Sequence, residues 1–370
     1  MNTFTFKKDK EELNLTNNIN INNKVNKIYF EEGIKFIYST NKDFFYNIDS
    51  LDEVYLPNSI KYIDETFFDS LHKQTIVFYK DNKDFVIINN ELMYSNLKRD
   101  VEEIIIPSDV KTIASGVFRC YSNLRNIVLP KGLKVLGDNV FSMCDSLNDV
   151  FIPSSVELIG SECFSECISL INLTVDQDNK HYTATEGFLF TKDLTEILYS
   201  QKERHSVFLP TELKSINAFT FKLNTLKDIT LPSNLLSIGE YAFFNCKSLT
   251  HVNIDKSTQI NFQTDSYIGQ SAFALCTNLE SITIPSNIKT IKFEAFLLCE
   301  NLKSIIITEG VTTLEDQVFK DCTKLESITL PKSLNKIGEN IFNGCINLRN
   351  ISIDIENEFF TVNNNKICNK

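Results

Sequence analysis

The sequence is poor in the residues that carry chemistry. Its 370 residues hold four histidines, His72, His181, His205 and His251, and none stands in the spacing of a catalytic triad or a metal site. P-loops, nucleophile elbows, dinucleotide fingerprints and His-Glu-x-x-His motifs are missing. An enzyme is therefore not expected, and no residue set calls for a cofactor or a metal. Lys and Arg form no run, and 37 basic against 48 acidic residues leave a net charge of -11, a sign that repels nucleic acid and anionic lipid. No stretch approaches about 18 consecutive apolar residues, and the N-terminus runs into Asp9-Lys10-Glu11-Glu12 without an apolar core, so neither a membrane span nor an ordinary export signal is read. Proline is scarce as well, eight in all, and its placement is the first positive signal.

Every proline follows an aliphatic, any, aliphatic triplet, as in Ile127-Val128-Leu129-Pro130. Pro107, Pro130 and Pro153 are 23 residues apart, and Pro57, Pro210, Pro232, Pro285 and Pro331 mark further copies. The unit reads Leu-x-x-Ile-x-Leu-Pro-x-x-Leu-x-x-Ile-x-x-x-x-Phe-x-x-Cys-x-x-Leu. Periods of 20 to 50 residues mean stacked arrays, whose core lengthens with each unit. In Leu-x-x-Ile-x-Leu the fourth and sixth positions share one side of an extended segment, so each repeat supplies one short strand. Proline ends that strand because it has no N-H to pair. The Phe-x-x-Cys-x-x-Leu return leg, with its three-residue spacing, is expected to form a short 3₁₀ or α turn. Gly137, Gly160, Gly239, Gly269 and Gly338 follow the repeat Ile or Leu, where a positive φ is expected; Asp64 and Asn217 stand there twice.

Seven of ten cysteines (Cys144, Cys167, Cys246, Cys276, Cys299, Cys322 and Cys345) stand three residues after the repeat phenylalanine. One thiol per repeat in an apolar register is expected to be a small, buried, reduced core filler. A second pattern interrupts the first: Asp81-Asn82-Lys83-Asp84-Phe85 resembles Asp178-Asn179-Lys180-His181-Tyr182 and Glu356-Asn357-Glu358-Phe359-Phe360. A polar turn and an apolar strand follow the first two, so each copy is read as a projecting hairpin, near 75–100, 173–205 and 353–370. Residues 256–265 enlarge another repeat as a loop. Residues 1–24 are read as a flexible leader, 25–50 as a degenerate N-terminal capping repeat, and 51–370 as the repeat array, which ends inside a repeat.

The string Leu147-x-x-Val150-x-Ile152-Pro153-x-x-Val156-x-x-Ile159-Gly160-x-x-x-Phe164-x-x-Cys167-x-x-Leu170 resembles the BspA-type, or treponemal-class, leucine-rich repeat over about residues 25 to 370. The resemblance implies an α/β repeat fold: a leucine-rich-repeat solenoid with a parallel β-sheet on its concave face, short helical turns on the return leg and inserted β-hairpins. It also implies a non-enzymatic, protein-binding role as a surface-associated adhesin, at the cell surface or secreted. The absent signal peptide and the thiols, which suit a reducing compartment, point to an intracellular interaction scaffold as the alternative; a purely structural array is a third reading.

The outward strand position between the two buried aliphatics is the candidate contact face. It reads Tyr29, Tyr55, Val77, Ile105, Val128, Phe151, Thr174 and Phe208, then Thr230, Asn253, Thr283, Ile306, Thr329 and Ser352. The first group is apolar or aromatic save one, and the second polar save one. Glu53, Glu103, Asp149 and Asp228 stand in the neighbouring outward column, so a protein ligand, basic in character, bound by a monomer, is expected on Tyr29, Tyr55, Ile105, Val128, Phe151 and Phe208. Tyr, Val, Ile, Phe and Thr are also good strand formers, and β-propensity alone could write such a ladder.

Overall fold

The computed structural model describes residues 2–16, 19, 21–39, 41, 43–72, 74–202, 206–254, 266–364 and 366–370. The loop expected at 256–265, and His205, lie outside the described residues. The chain forms two compact units, residues 1–169 and 170–370, and each is a β-solenoid whose coils stack in parallel.

In the first unit the face formed by the triplet strands runs Thr3–Phe6, Lys27–Phe30, Glu53–Tyr55 and Ile76–Phe78, each parallel to the next. A second sheet on this face contains Glu103–Ile105, Asn126–Val128 and Asp149–Ile152. The short strands after the proline turn stack likewise, as in Thr112–Ile113, Val135–Leu136 and Leu158–Ile159. The expected leader departs from flexibility. Thr3–Phe6 and Glu12–Leu15 are strands that pair with Lys27–Phe30 and Phe36–Ser39, because Phe6 and Leu15 supply the apolar side chains that bury against the first core.

In the second unit the triplet strands Ser206–Phe208, Asp228–Leu231, His251–Ile254, Ser281–Thr283 and Ser304–Ile306 form one parallel sheet, and Ser327–Leu330 pairs with Asn350–Ile353. Tyr182–Thr185, Phe188–Thr191 and Glu196–Ser200 run antiparallel, and the last continues as a parallel ladder through Ser215–Ile216. Phe85–Ile88 with Glu91–Ser95 in the first unit, and Phe360–Asn363 with Lys366–Asn369 here, are the other antiparallel strand pairs among the described residues.

The hairpins share one anchor. Asn82 Oδ1 accepts the N-H groups of Asp84 and Phe85 at 3.0 and 2.9 Å; Asn179 does the same for His181 and Tyr182, both at 2.8 Å, and Asn357 for Phe359 and Phe360 at 2.9 and 2.8 Å. The asparagine of the second sequence pattern thus starts each hairpin by accepting the N-H groups of the strand's first residue and of the residue before it.

Among the described residues the return leg is helical in one coil alone. The single α-helix among the described residues is Glu65–Asp69, capped by the Asp64 side chain on the Thr66 N-H at 3.0 Å. Elsewhere the leg is a run of turns with left-handed residues four apart, such as Phe219 and Leu223, both at φ +61°. These reversals divide the donors. Lys222 and Asn224 bond back within the coil to Phe219 and Phe221, while the N-H groups of Phe219, Phe221 and Leu223 reach the carbonyls of Glu240, Ala242 and Phe244 in the next coil at 2.8–3.1 Å. A helical turn would direct its donors along its own axis and leave none to join neighbouring coils.

The glycines follow a different logic from the one expected. Gly239 and Gly269 do not lie at positive φ. A Cβ on Gly239 would stand 2.4 Å from the Ala218 nitrogen, and one on Gly269 2.6 Å from the Glu240 nitrogen. Close approach of stacked backbones excludes a side chain there. Each proline, as expected, opens a turn, its carbonyl accepting from the residue three on, as Pro130 does from Leu133 at 3.0 Å.

Phenylalanine rings stack down the core. In the second unit Phe221, Phe243, Phe273, Phe296, Phe319 and Phe342 form one column with centroids 4.8–5.8 Å apart and nearly parallel planes. The repeat cysteines are free, and all but the half-buried Cys345 are fully buried. They also do more than fill space. Each thiol donates to the carbonyl of the phenylalanine one coil back: Cys144 to Phe118 at 3.2 Å, Cys246 to Phe221 at 2.9 Å, Cys299 to Phe273 at 3.2 Å, and Cys167, Cys276, Cys322 and Cys345 likewise. Burial pushes the Cys144 thiol up to about 12 and keeps Cys299 protonated well above the ordinary range, so the proton needed for the bond is retained.

Candidate functional site

A strand buries alternate side chains, and on this face the buried set is the aliphatic pair of each triplet. Ile104, Ile127 and Val150 point inward. The residues after them face solvent: Ile105 is 66% exposed, Val128 49% and Phe151 53%. Register places Ile105 beside Val128 and Asn126 beside Asp149, so the three apolar side chains form one column on adjacent strands, with Glu103, Asn126 and Asp149 forming the next.

The sheet before it in the same unit carries an aromatic column. Tyr29 stacks on Tyr55 with centroids 4.4 Å apart, and Tyr55 on Phe78 at 4.7 Å. Val77, expected in this column, is fully buried opposite Val54, and Phe78 takes the outward place opposite Tyr55. The 23-residue spacing from Val54 and Tyr55 was the signal that assigns both correctly. Ile76 is a further exposed apolar residue on that strand. The ladder then stops, because the Asn96 side chain takes the edge of the strand: its Nδ2 donates to the Val77 carbonyl at 2.8 Å and its Oδ1 accepts the Val77 N-H at 2.9 Å.

The four acidic residues have unequal surroundings. Glu53 is held by Lys27 at 2.6 Å and accepts the Tyr55 hydroxyl at 2.5 Å. Lys27 and then Tyr55 keep its carboxyl below the usual range, and the same hydrogen bond pushes the Tyr55 phenol up to about 12. Asp228 lies 3.1 Å from both His251 Nδ1 and the Thr250 hydroxyl. Asp149 accepts from the Asn148 amide at 3.0 Å and lines a cleft of ≈ 400 Å³ with Arg125, Asn126, Ser146, Asn148 and Ser169. Glu103 is exposed and has no ion pair or side-chain hydrogen bond among the described residues; its neighbour Glu102 lies 3.7 Å from Arg125. Lys27 and His251, which answer two of these acids, were not singled out in the sequence.

Phe208, 91% exposed, and Asp228 stand on paired strands of the second unit. Tyr29, Tyr55, Ile105, Val128, Phe151, Glu53, Glu103 and Asp149 belong to the first. Beyond Phe208 the second unit's column is polar at Thr230, Asn253 and Thr283 and apolar at Ile306. Among the described residues no group of three or more His, Cys, Asp or Glu is placed to hold a metal ion, and no helix is long and apolar enough to cross a membrane.

Parallel triplet strands, proline turns and Phe-Cys return legs define a leucine-rich-repeat solenoid. The BspA type leucine rich repeat region profile matches residues 14–98, 86–204, 193–267 and 257–369, and the chain belongs to that family. The match indicates no catalytic family. Its fold is similar to that of a leucine rich cell surface protein from Faecalibacterium prausnitzii A2-165, with a TM-score of 0.58 and 22% identity over 95% of this chain and 90% of that one. It is also similar to a leucine-rich repeat protein from Eubacterium ventriosum ATCC 27560, with a TM-score of 0.53 and 19% identity over 93% and 87%. Comparison with curated proteins returned no match.

Proposed function

We propose that this protein is a non-enzymatic, monomeric binder of other proteins, acting at the cell surface as an adhesin, and that the triplet-strand face of its first unit makes the contact. One observation carries the reading: Ile105, Val128 and Phe151 stand exposed side by side, where the same repeat position in the second unit holds Thr230, Asn253 and Thr283. Strand propensity accounts for either set, but only the first costs free energy in water, and clustered exposed apolar side chains mark interaction sites. Family membership supports protein binding in general. The likeness in fold to a protein described as a cell surface protein supports the location.

The ligand's expected basic character attaches first to Glu103, because Glu53 and Asp228 already have cationic or protonatable neighbours. Tyr29 and Tyr55 extend the contact as a stacked pair, and Phe208 is a separate anchor on the second unit. Surface-protease shaving of intact source cells should remove the protein, whereas an intracellular scaffold would be spared. Affinity capture on the purified chain should recover a protein ligand whose binding falls at least tenfold, about 1.4 kcal/mol, with Phe151→Ser, and little with Thr283→Ala. Equal binding by both folded variants would move the interface elsewhere.

A further inference from the structure

We infer that the occupant of the Ile105, Val128 and Phe151 column is an amphipathic, basic α-helix lying along the stacking direction of the coils. This rests on the reading of that face as protein-binding and adds the conformation and charge pattern of the partner.

The first argument is one of spacing. Adjacent strands repeat at about 4.8 Å, so the three side chains span about 9.6 Å. A helix laid along the column presents a side chain every turn of about 5.4 Å, and its positions i, i+3 or i+4, and i+7 span about 10.5 Å. The misfit over the column is about 1 Å, within the reach of side-chain rotamers. An extended segment presents same-face side chains about every 6.7 Å, and two such steps of about 13 Å overshoot the column by more than 3 Å.

The second argument concerns backbone groups. The N-H and C=O groups of Glu103–Ile105, Asn126–Val128 and Asp149–Ile152 point along the sheet from strand to strand and not out from its face. An extended segment lying on this face would find no backbone partner and would set its own amides against Ile, Val and Phe. A helix satisfies its backbone internally and needs only an apolar stripe.

The third argument is charge. Glu103 and Asp149 flank the column two coils apart, with the neutral Asn126 between them. That separation of about 9.6 Å matches Lys or Arg at i and i+7 on the flank of the same helix. With Glu102 and Arg125 also beside the column, three acids face one base.

The test is selection of a random 16-residue peptide display library on the immobilised full chain, the enriched peptides then being measured on Val128→Ser. Enriched peptides are expected to carry apolar residues at i, i+3 or i+4, and i+7 with Lys or Arg on one flank, and to gain helical circular dichroism on binding. They should lose at least tenfold in affinity with Val128→Ser and a lesser factor with Glu103→Gln plus Asp149→Asn, the latter loss shrinking in high salt. If Val128→Ser fails to fold, Phe151→Thr replaces it, since threonine occupies this column at Thr230 and Thr283. Enriched peptides with an alternating, period-two pattern that still depend on Val128 would overturn the helix and leave the protein-binding face standing. Peptides indifferent to Val128→Ser, or no enrichment at all, would overturn the helix and count against the face itself.

Discussion

Replacing Phe273 with alanine probes how the solenoid distributes its stability. The ring is fully buried and lies between Phe243 at 4.8 Å and Phe296 at 5.3 Å, parallel to both within 3°. A large aromatic lost from a packed core costs about 3–5 kcal/mol. Two ring contacts, each contributing about 0.5–1.5 kcal/mol beyond area, place this site near the upper end. Phe342 supplies the contrast, since it is half-buried and its one ring contact among the described residues is with Phe319, at 5.8 Å. Phe342→Ala should cost about 2 kcal/mol. Because a stack of coils couples mainly through adjacent interfaces, the opening should be local. Native-state hydrogen exchange read by mass spectrometry is the assay. Protection should fall around residues 239–300 in Phe273→Ala and persist near Phe319. Uniform loss across residues 170–370, or equal costs for the two variants, would refute coupling by neighbours.

Titration of the native protein should find no more than the three half-buried thiols, Cys120, Cys345 and Cys368, and all ten after denaturation without reductant; recovery of fewer than half in denaturant would contradict the reduced thiol ladder. Cys299→Ala should cost about 1 kcal/mol, because the Phe273 carbonyl loses the thiol and keeps only the Cys276 N-H at 3.2 Å; a change below about 0.5 kcal/mol by local exchange would reduce the thiol to a space filler. Burial raises the Cys144 thiol from an ordinary value near 9 to about 12, so its contribution to stability is present below pH about 9 and is lost as pH rises toward 12, where the unfolded thiol ionises first. The urea midpoint of the wild type should therefore fall more steeply above pH 9 than that of Cys144→Val, and parallel slopes would refute this. Asn357→Asp keeps the shape but removes the amide donor that reaches the carbonyls of Pro331, Lys332 and Leu334 at 2.8–3.2 Å; exchange should rise in Phe360–Asn363 and Lys366–Asn369, and unchanged protection there would show that the asparagine does not anchor the hairpin.

Repetition made much of this legible. A residue type recurring once per unit reports an environment repeated once per unit, so the proline turns, the inward aliphatic pairs and the buried cysteine register could be read directly from spacing. Errors arose where local pattern had to stand in for stacking. Phe-x-x-Cys spacing suits a helical turn in isolation, yet the left-handed reversals at Phe219 and Leu223 serve bonds to the next coil, which no single repeat contains. The glycine after the repeat Ile reads as a turn residue, and it is required by a backbone atom of the neighbouring coil. Val77 was assigned outward because its triplet lacks the proline marker. The candidate acids looked alike as letters, and only side-chain geometry distinguished Glu53, held by Lys27, from exposed Glu103.

By itself, the sequence determined that the chain is a repeat array, where each coil begins and turns, which side chains enter the core, and that apolar outward residues gather in its earlier repeats. Those properties follow from periodicity, which encodes side-chain direction along one coil. Tertiary structure alone decided which atoms of one coil meet the next. It set the thiol donors on phenylalanine carbonyls, the return-leg ladder, the recruitment of residues 3–6 and 12–15 into the sheets, and the division of the candidate residues between two units. These depend on distances between segments 20 or more residues apart, which no pattern within a single repeat specifies.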